Sequence, residues 1–120
     1  LLLALLRSES APGGPDDIDR CLRLAPDWPR FLTLVDRHRV APLVWRGMQA
    51  LPEGRVEAGI LQALHQRVEA NTGRALLQAR EMRRLGQSLD EQGVAWLVFK
   101  GPVLAMQAYG DLSLRHAGDL

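Results

Sequence analysis

Apolar residues recur seven apart through the middle of the chain, at Leu61, Val68, Ala75, Met82 and Leu89, with Leu64 and Leu85 on the same stripe. A stripe that holds one phase over this length predicts a single long helix. Asn71-Thr72-Gly73 interrupts the pattern. A glycine inside a helix costs about 1 kcal/mol relative to alanine, but the unbroken phase predicts a bend or weak point there and not a loop. Asn71 and Gln78 take alternate stripe positions and are expected to face a polar groove or solvent.

Shorter helices are predicted before it. Leu1 to Leu6 read as the start of a helix, broken by Ser10-Ala-Pro-Gly-Gly-Pro15. Asp16, Asp17 and Asp19 then open a short helix that ends near Ala25, carboxylates being favoured at the positive end of a helix dipole. Asp27 is placed to cap the next helix, with Pro29 in its first turn, Phe31, Leu32, Leu34 and Val35 inward, and an end near Arg37-His38-Arg39-Val40. Pro42 restarts a helix through Leu43, Val44, Met48 and Leu51, and Leu51-Pro-Glu-Gly54 turns the chain into the long segment.

At Gly93 the pattern changes. Glycine is placed for a left-handed helix cap, and Val94–Phe99 is a continuous apolar run of strand length, expected to be buried on both faces. Lys100-Gly101-Pro102 follows, then a short amphipathic helix to Tyr109, closed by Gly110. The class predicted is α+β and predominantly helical, with a helical region over 1–92 and the beginning of a sheet-containing domain over 93–120. A strand without a complete sheet leaves a sticky edge, so self-association is expected.

Composition narrows the function. Fifteen basic and fourteen acidic side chains are interspersed and leave a net charge of +1, so the broad basic face of a general nucleic-acid or membrane binder is missing. Cys21 is the single cysteine, which excludes an intrachain disulfide and cysteine-cluster zinc sites and fits a reducing, cytoplasmic setting. No stretch approaches the roughly 20 apolar residues that span a bilayer. The six-residue opening run lacks the basic leader and cleavage pattern of a secretion signal. With no methionine at its start, the chain is expected to begin inside a longer reading frame.

Lys100 is the only lysine against fourteen arginines. A strand, a glycine turn and a helix with proline in its first turn aim unsatisfied backbone N–H groups at one point, where an anion is held, and a compact ammonium beside them suits phosphate. No G-x-x-x-x-G-K-[ST] loop and no glycine-rich kinase loop occurs. Near the end, Arg115 and His116 precede Asp119 at what reads as the start of another strand. A second carboxylate two residues further on would project from the same strand face, and such a pair holds Mg²⁺. Ser113, His116 and Asp119 contain the residue types of a hydrolase triad, and His116 with Asp119 could bind zinc, but triads come from separate elements and zinc needs further ligands. His38 and His65 lie in helical patterns, suited to capping or surface roles, and Tyr109 to packing at its helix end. Arg115 is suited to pairing with Asp111, Asp119 or phosphate.

His38-Arg-Val-Ala-Pro-Leu-Val-Trp-Arg-Gly-Met48, together with the run from Leu97 through Lys100-Gly101-Pro102 to Gly118-Asp119-Leu120, resembles the uncharacterised nucleotidyltransferase family related to the polymerase-β-type superfamily. Its pattern is K-G-P-x-L followed by R-x-x-G-D-x-D, and the resemblance covers nearly the whole chain. It implies a helical amino-terminal region leading into a mixed α/β catalytic domain. It implies that Lys100 and Gly101 hold the nucleotide and that Asp119 is catalytic as the first aspartate on Mg²⁺; beside them Arg115 is expected to bind phosphate. The second aspartate would be residue 121, so these 120 residues are expected to be inactive alone. The reaction implied moves a nucleotidyl group from an NTP to an acceptor hydroxyl and releases pyrophosphate; the acceptor is open. The other reading is a noncatalytic helical interaction module whose nucleotide site is degenerate or completed by a partner.

Overall fold

A computed structural model describes residues 1–7, 14–116 and 118. The predicted helices are present as α1 (Leu2–Arg7), α2 (Gly14–Arg23), α3 (Trp28–His38), α4 (Ala41–Gln49), α5 (Ala58–Glu91) and α6 (Gly101–Tyr109), followed by a 3-10 turn at Leu112–Leu114. The molecule is predominantly helical, and no helix among the described residues is long and apolar enough to cross a membrane. The chain divides into two compact units, Leu1–Val68 and Glu69–Leu120, the division falling inside α5.

In the first unit the helix ends follow the expected local chemistry. Asp27 Oδ1 accepts a hydrogen bond from the Arg30 amide at 2.9 Å, and Pro29 occupies the first turn of α3, where a missing N–H costs nothing. Arg39 closes α3 in the left-handed conformation (φ 56°), its amide donating to the Asp36 carbonyl at 3.1 Å. Leu5, Val35, Val44 and Leu64 are fully buried at the centre of the core, with Ile18, Phe31 and Met48 around them. Gly47 is what lets α1 and α4 meet: a Cβ there would stand 3.0 Å from the Leu5 carbonyl oxygen.

Polar contacts lie at the rim of this unit. The Arg67 guanidinium donates from Nε and Nη2 to the two carboxylate oxygens of Asp36, at 2.7 and 2.9 Å, and from Nη1 to the Ala63 carbonyl. Those hydrogen bonds hold the Asp36 carboxyl below the usual aspartate range. The pair is substantially solvated, so it contributes under about 1 kcal/mol. His65 packs its ring 5.2 Å from that of Trp45, and His38 sits in the last turn of α3, where a cation suits the helix dipole.

α5 passes Gly73 as one helix. Two expectations from the sequence differ in the second unit. Val94–Phe99 forms no strand, and among the described residues there is no strand at all. A strand exists only by pairing with another, and no described segment offers an edge to it. The run therefore lies unpaired, with Leu97 85% and Phe99 73% exposed in place of the predicted burial on both faces. Trp96 fastens it to α5: the indole N–H donates to Asp90 Oδ1 at 2.8 Å, and the ring lies where Gly86 has no side chain. A Cβ on Gly86 would come within 2.4 Å of that ring. The second difference is at Asn71 and Gln78, which are buried and not turned to solvent; Gln78 borders a groove, but that groove is largely apolar and not polar.

Candidate functional site

The site is built on the second unit, from the face of α5 that carries Asn71, Ala75 and Gln78. After Trp96 the chain reaches Lys100, whose extended backbone (φ −137°, ψ −167°) caps the start of α6. Gly101 follows at φ +62°, in the left-handed region where a side chain is strained, and Pro102 is buried in the first turn. The Lys100 side chain is exposed, its ammonium 5.3 Å from the centre of the Phe99 ring. Lys100, Gly101 and Pro102 border a largely apolar groove of about 610 Å³, whose walls include Trp96, Phe99 and, from α5, Gln78 and Met82.

α6 ends at Gly110, left-handed at φ +69°, whose amide donates to the Met106 carbonyl at 2.9 Å. Asp111 then organises the next turn: its Oδ1 accepts from both the amide and the hydroxyl of Ser113, each at 2.7 Å. This is capping chemistry, and it engages the Ser113 hydroxyl with a carboxylate of its own turn, unlike a nucleophile held by a histidine.

Beyond that turn the backbone is held by α5. Asn71 Nδ2 donates to the carbonyls of Ser113 and Arg115, at 2.9 and 3.1 Å, and Gln78 Nε2 donates to the carbonyl of Gly118 at 3.1 Å. Asn71 is 1% exposed and Gln78 8%. Burying a primary amide is unfavourable unless it is hydrogen-bonded, and the carbonyls of this irregular segment have no sheet to receive them. Each need answers the other, which is why these two polar residues turn inward.

Of the residues singled out from sequence, Lys100, Gly101 and Arg115 therefore lie in one compact unit, Arg115 half-buried and joined to α5 through its backbone carbonyl. Asp119 lies outside the described residues. Among the described residues no group of three or more His, Cys, Asp or Glu is placed to hold a metal ion. Asn71 and Gln78 were the residues that sequence reasoning undervalued. Their signal is two amides seven apart on an otherwise apolar stripe.

Residues 25–120 match the family model described as uncharacterised nucleotidyltransferase, which is more than half of the chain, and the chain belongs to that family. Its general kind is that of a nucleotidyltransferase. The matched span contains Asn71, Gln78, Lys100, Gly101, Arg115 and Asp119. No curated protein and no solved structure matches the chain.

Proposed function

We propose that this chain supplies the phosphate-holding part of a magnesium-dependent centre that transfers a nucleotidyl group from an NTP to an acceptor hydroxyl. The observation that carries the reading is the Lys100-Gly101 turn: an exposed ammonium beside a left-handed glycine at the start of α6, within the span matched to a nucleotidyltransferase family. Lys100 contacts the triphosphate as a compact charge, and Gly101 leaves the backbone bare where phosphate oxygens approach. Arg115 adds a second cation on the segment held to α5. Asp119 is assigned to the metal, Mg²⁺ by the oxygen character of the ligand, which when bound offsets charge on the phosphates.

In the reaction the acceptor oxygen forms a bond to the α-phosphorus while the bond from that phosphorus to the α,β-bridging oxygen breaks. Pyrophosphate leaves with the electron pair, and the hydroxyl proton passes to solvent or a base. The protein's share is to position the triphosphate for in-line displacement and to stabilise its charge.

The test uses the protein expressed from the full reading frame that contains this chain, with α-labelled NTPs. Lys100→Met removes one charge-assisted contact, worth about 1.5 to 3 kcal/mol, so turnover falls on the order of tenfold to a hundredfold with magnesium dependence retained. Asp119→Asn costs far more, and excess Mg²⁺ restores little. Near-normal turnover in Asp119→Asn, with activity abolished in Lys100→Met, would sink the metal assignment.

A further inference from the structure

The two inward-facing amides of α5 do more than fill a stripe. Three backbone carbonyls, at Ser113, Arg115 and Gly118, accept from them, and contacts of this kind hold the main chain whatever side chains it carries. Asn71 and Gln78 stand seven residues apart on one helix, about 10 Å along its axis, and so hold this segment at two separate places.

Gln78 touches both motifs at once. Its amide donates to the Gly118 carbonyl, and a Cβ built on Gly101 would lie 3.8 Å from Gln78 Oε1. Gly118, whose carbonyl is held in this way, immediately precedes Asp119 in the sequence. An apolar residue at position 78 would continue the stripe and satisfy the helix, but it would leave that carbonyl unheld.

We propose that Asn71 and Gln78 form a two-point clamp that holds the backbone at Ser113, Arg115 and Gly118 beside the Lys100-Gly101 turn, and that both are positioning residues for nucleotidyl transfer. The proposal rests on the nucleotidyltransferase reading above for its functional half; the clamp itself is a statement about the carbonyls of Ser113, Arg115 and Gly118. Misplacing a reacting group by about 1 Å costs on the order of a hundredfold in rate, whereas binding of the triphosphate at Lys100 depends less on where Asp119 lies.

The experiment compares Gln78→Leu, Gln78→Glu and Asn71→Leu with the unaltered full-length protein, by steady-state kinetics with α-labelled NTPs and by amide hydrogen exchange across the chain. Gln78→Leu removes the donor while keeping an apolar side chain on the stripe; Gln78→Glu keeps the shape and turns the donor into an acceptor that repels the Gly118 carbonyl. In both, kcat is expected to fall about tenfold to a hundredfold, with KM for the NTP within about threefold. Exchange across residues 112–118 is expected to rise at least about tenfold while that of α3 and α4 stays put. Unchanged exchange in that segment in both Gln78 variants overturns the clamp. Faster exchange with unchanged kcat shows a clamp without the proposed role and overturns the positioning claim. If the unaltered protein transfers no label, the nucleotidyltransferase reading fails on its own, and hydrogen exchange still decides the clamp. Should Gln78→Leu fail to fold, Gln78→Glu and Asn71→Leu carry the same two readouts.

Discussion

The two units of this chain are held in different ways. In Leu1–Val68 the most deeply buried side chains are Leu5, Val35, Val44 and Leu64, and the ion pairs of Asp36 with Arg67 and Asp19 with Arg55 sit at the solvated rim. In Glu69–Leu120 the buried residues include Asn71, Gln78, Ala75 and Ala105, while Leu76, Leu77, Leu97, Phe99 and Met106 are exposed. Apolar burial is strong but non-directional: it decides that helices pack and tolerates small shifts in where. Hydrogen bonds from buried amides to named carbonyls contribute less free energy and specify particular atoms. The nucleotidyl-transfer centre proposed above calls for the second kind of order, and the Lys100-Gly101 turn and Arg115 lie in the second unit.

Truncating the centre of the first unit is the largest break available. Leu64 has no exposed surface, and Leu64→Ala removes its buried methyls and leaves a cavity, at a cost of about 2 to 5 kcal/mol. Chemical denaturation followed by circular dichroism is expected to show that loss as a lower midpoint with a similar slope. A loss under about 1 kcal/mol would mean that the first unit is not held by this core, and the contrast between the units would fall.

Gly86→Ala acts more locally. The added Cβ enters the space of the Trp96 ring, so the ring must leave and its hydrogen bond to Asp90, worth about 0.5 to 1.5 kcal/mol, is lost. The alanine returns up to about 1 kcal/mol of helix propensity, so net stability changes by about 1 kcal/mol or less. The expected signature is a shift of the Trp96 indole N–H resonance toward that of a solvent-exposed indole, with Trp28 and Trp45 unmoved. A fixed Trp96 resonance would show that the ring is not seated on Gly86.

Most of the helical layout was legible in the sequence because local chemistry dictates it. Asp27, Pro29, Pro42, Gly93 and Gly110 each mark an end through a hydrogen bond or a backbone angle that needs no distant partner. The seven-residue period gave α5 for the same reason. Two things were not legible. A strand is a relation between segments, so the apolar, β-favouring run Val94–Phe99 carried the propensity without the neighbour that would make it a strand. The burial of Asn71 and Gln78 depends on carbonyls some 40 residues away in the chain, at Ser113, Arg115 and Gly118, and nothing local announces them. Of the candidate site, the Lys100-Gly101 turn was readable because a left-handed glycine before proline is a local event, whereas what joins it to the Gly118 backbone is tertiary.

The smallest effect expected on folding is also the one that tests the open character of the second unit most directly. Leu97 is 85% exposed and Phe99 73%, so replacing both with serine removes side chains that gain little from burial, and the change in unfolding free energy is expected to stay within about 1 kcal/mol. Lys100 stands beside Phe99, so its cation–π contact, worth about 0.5 to 1 kcal/mol at an exposed position, sets the upper limit of any loss. Exposed apolar side chains in one run favour association, and the double variant of the 120-residue chain is therefore expected to scatter less light at equal concentration than the unaltered chain. The two measurements bear on the comparison differently. A destabilisation as large as that of Leu64→Ala would mean that Leu97 and Phe99 are buried in solution, and the second unit would then be closed by apolar packing like the first. Unchanged stability with unchanged scattering would leave the open face in place and remove it as the source of association.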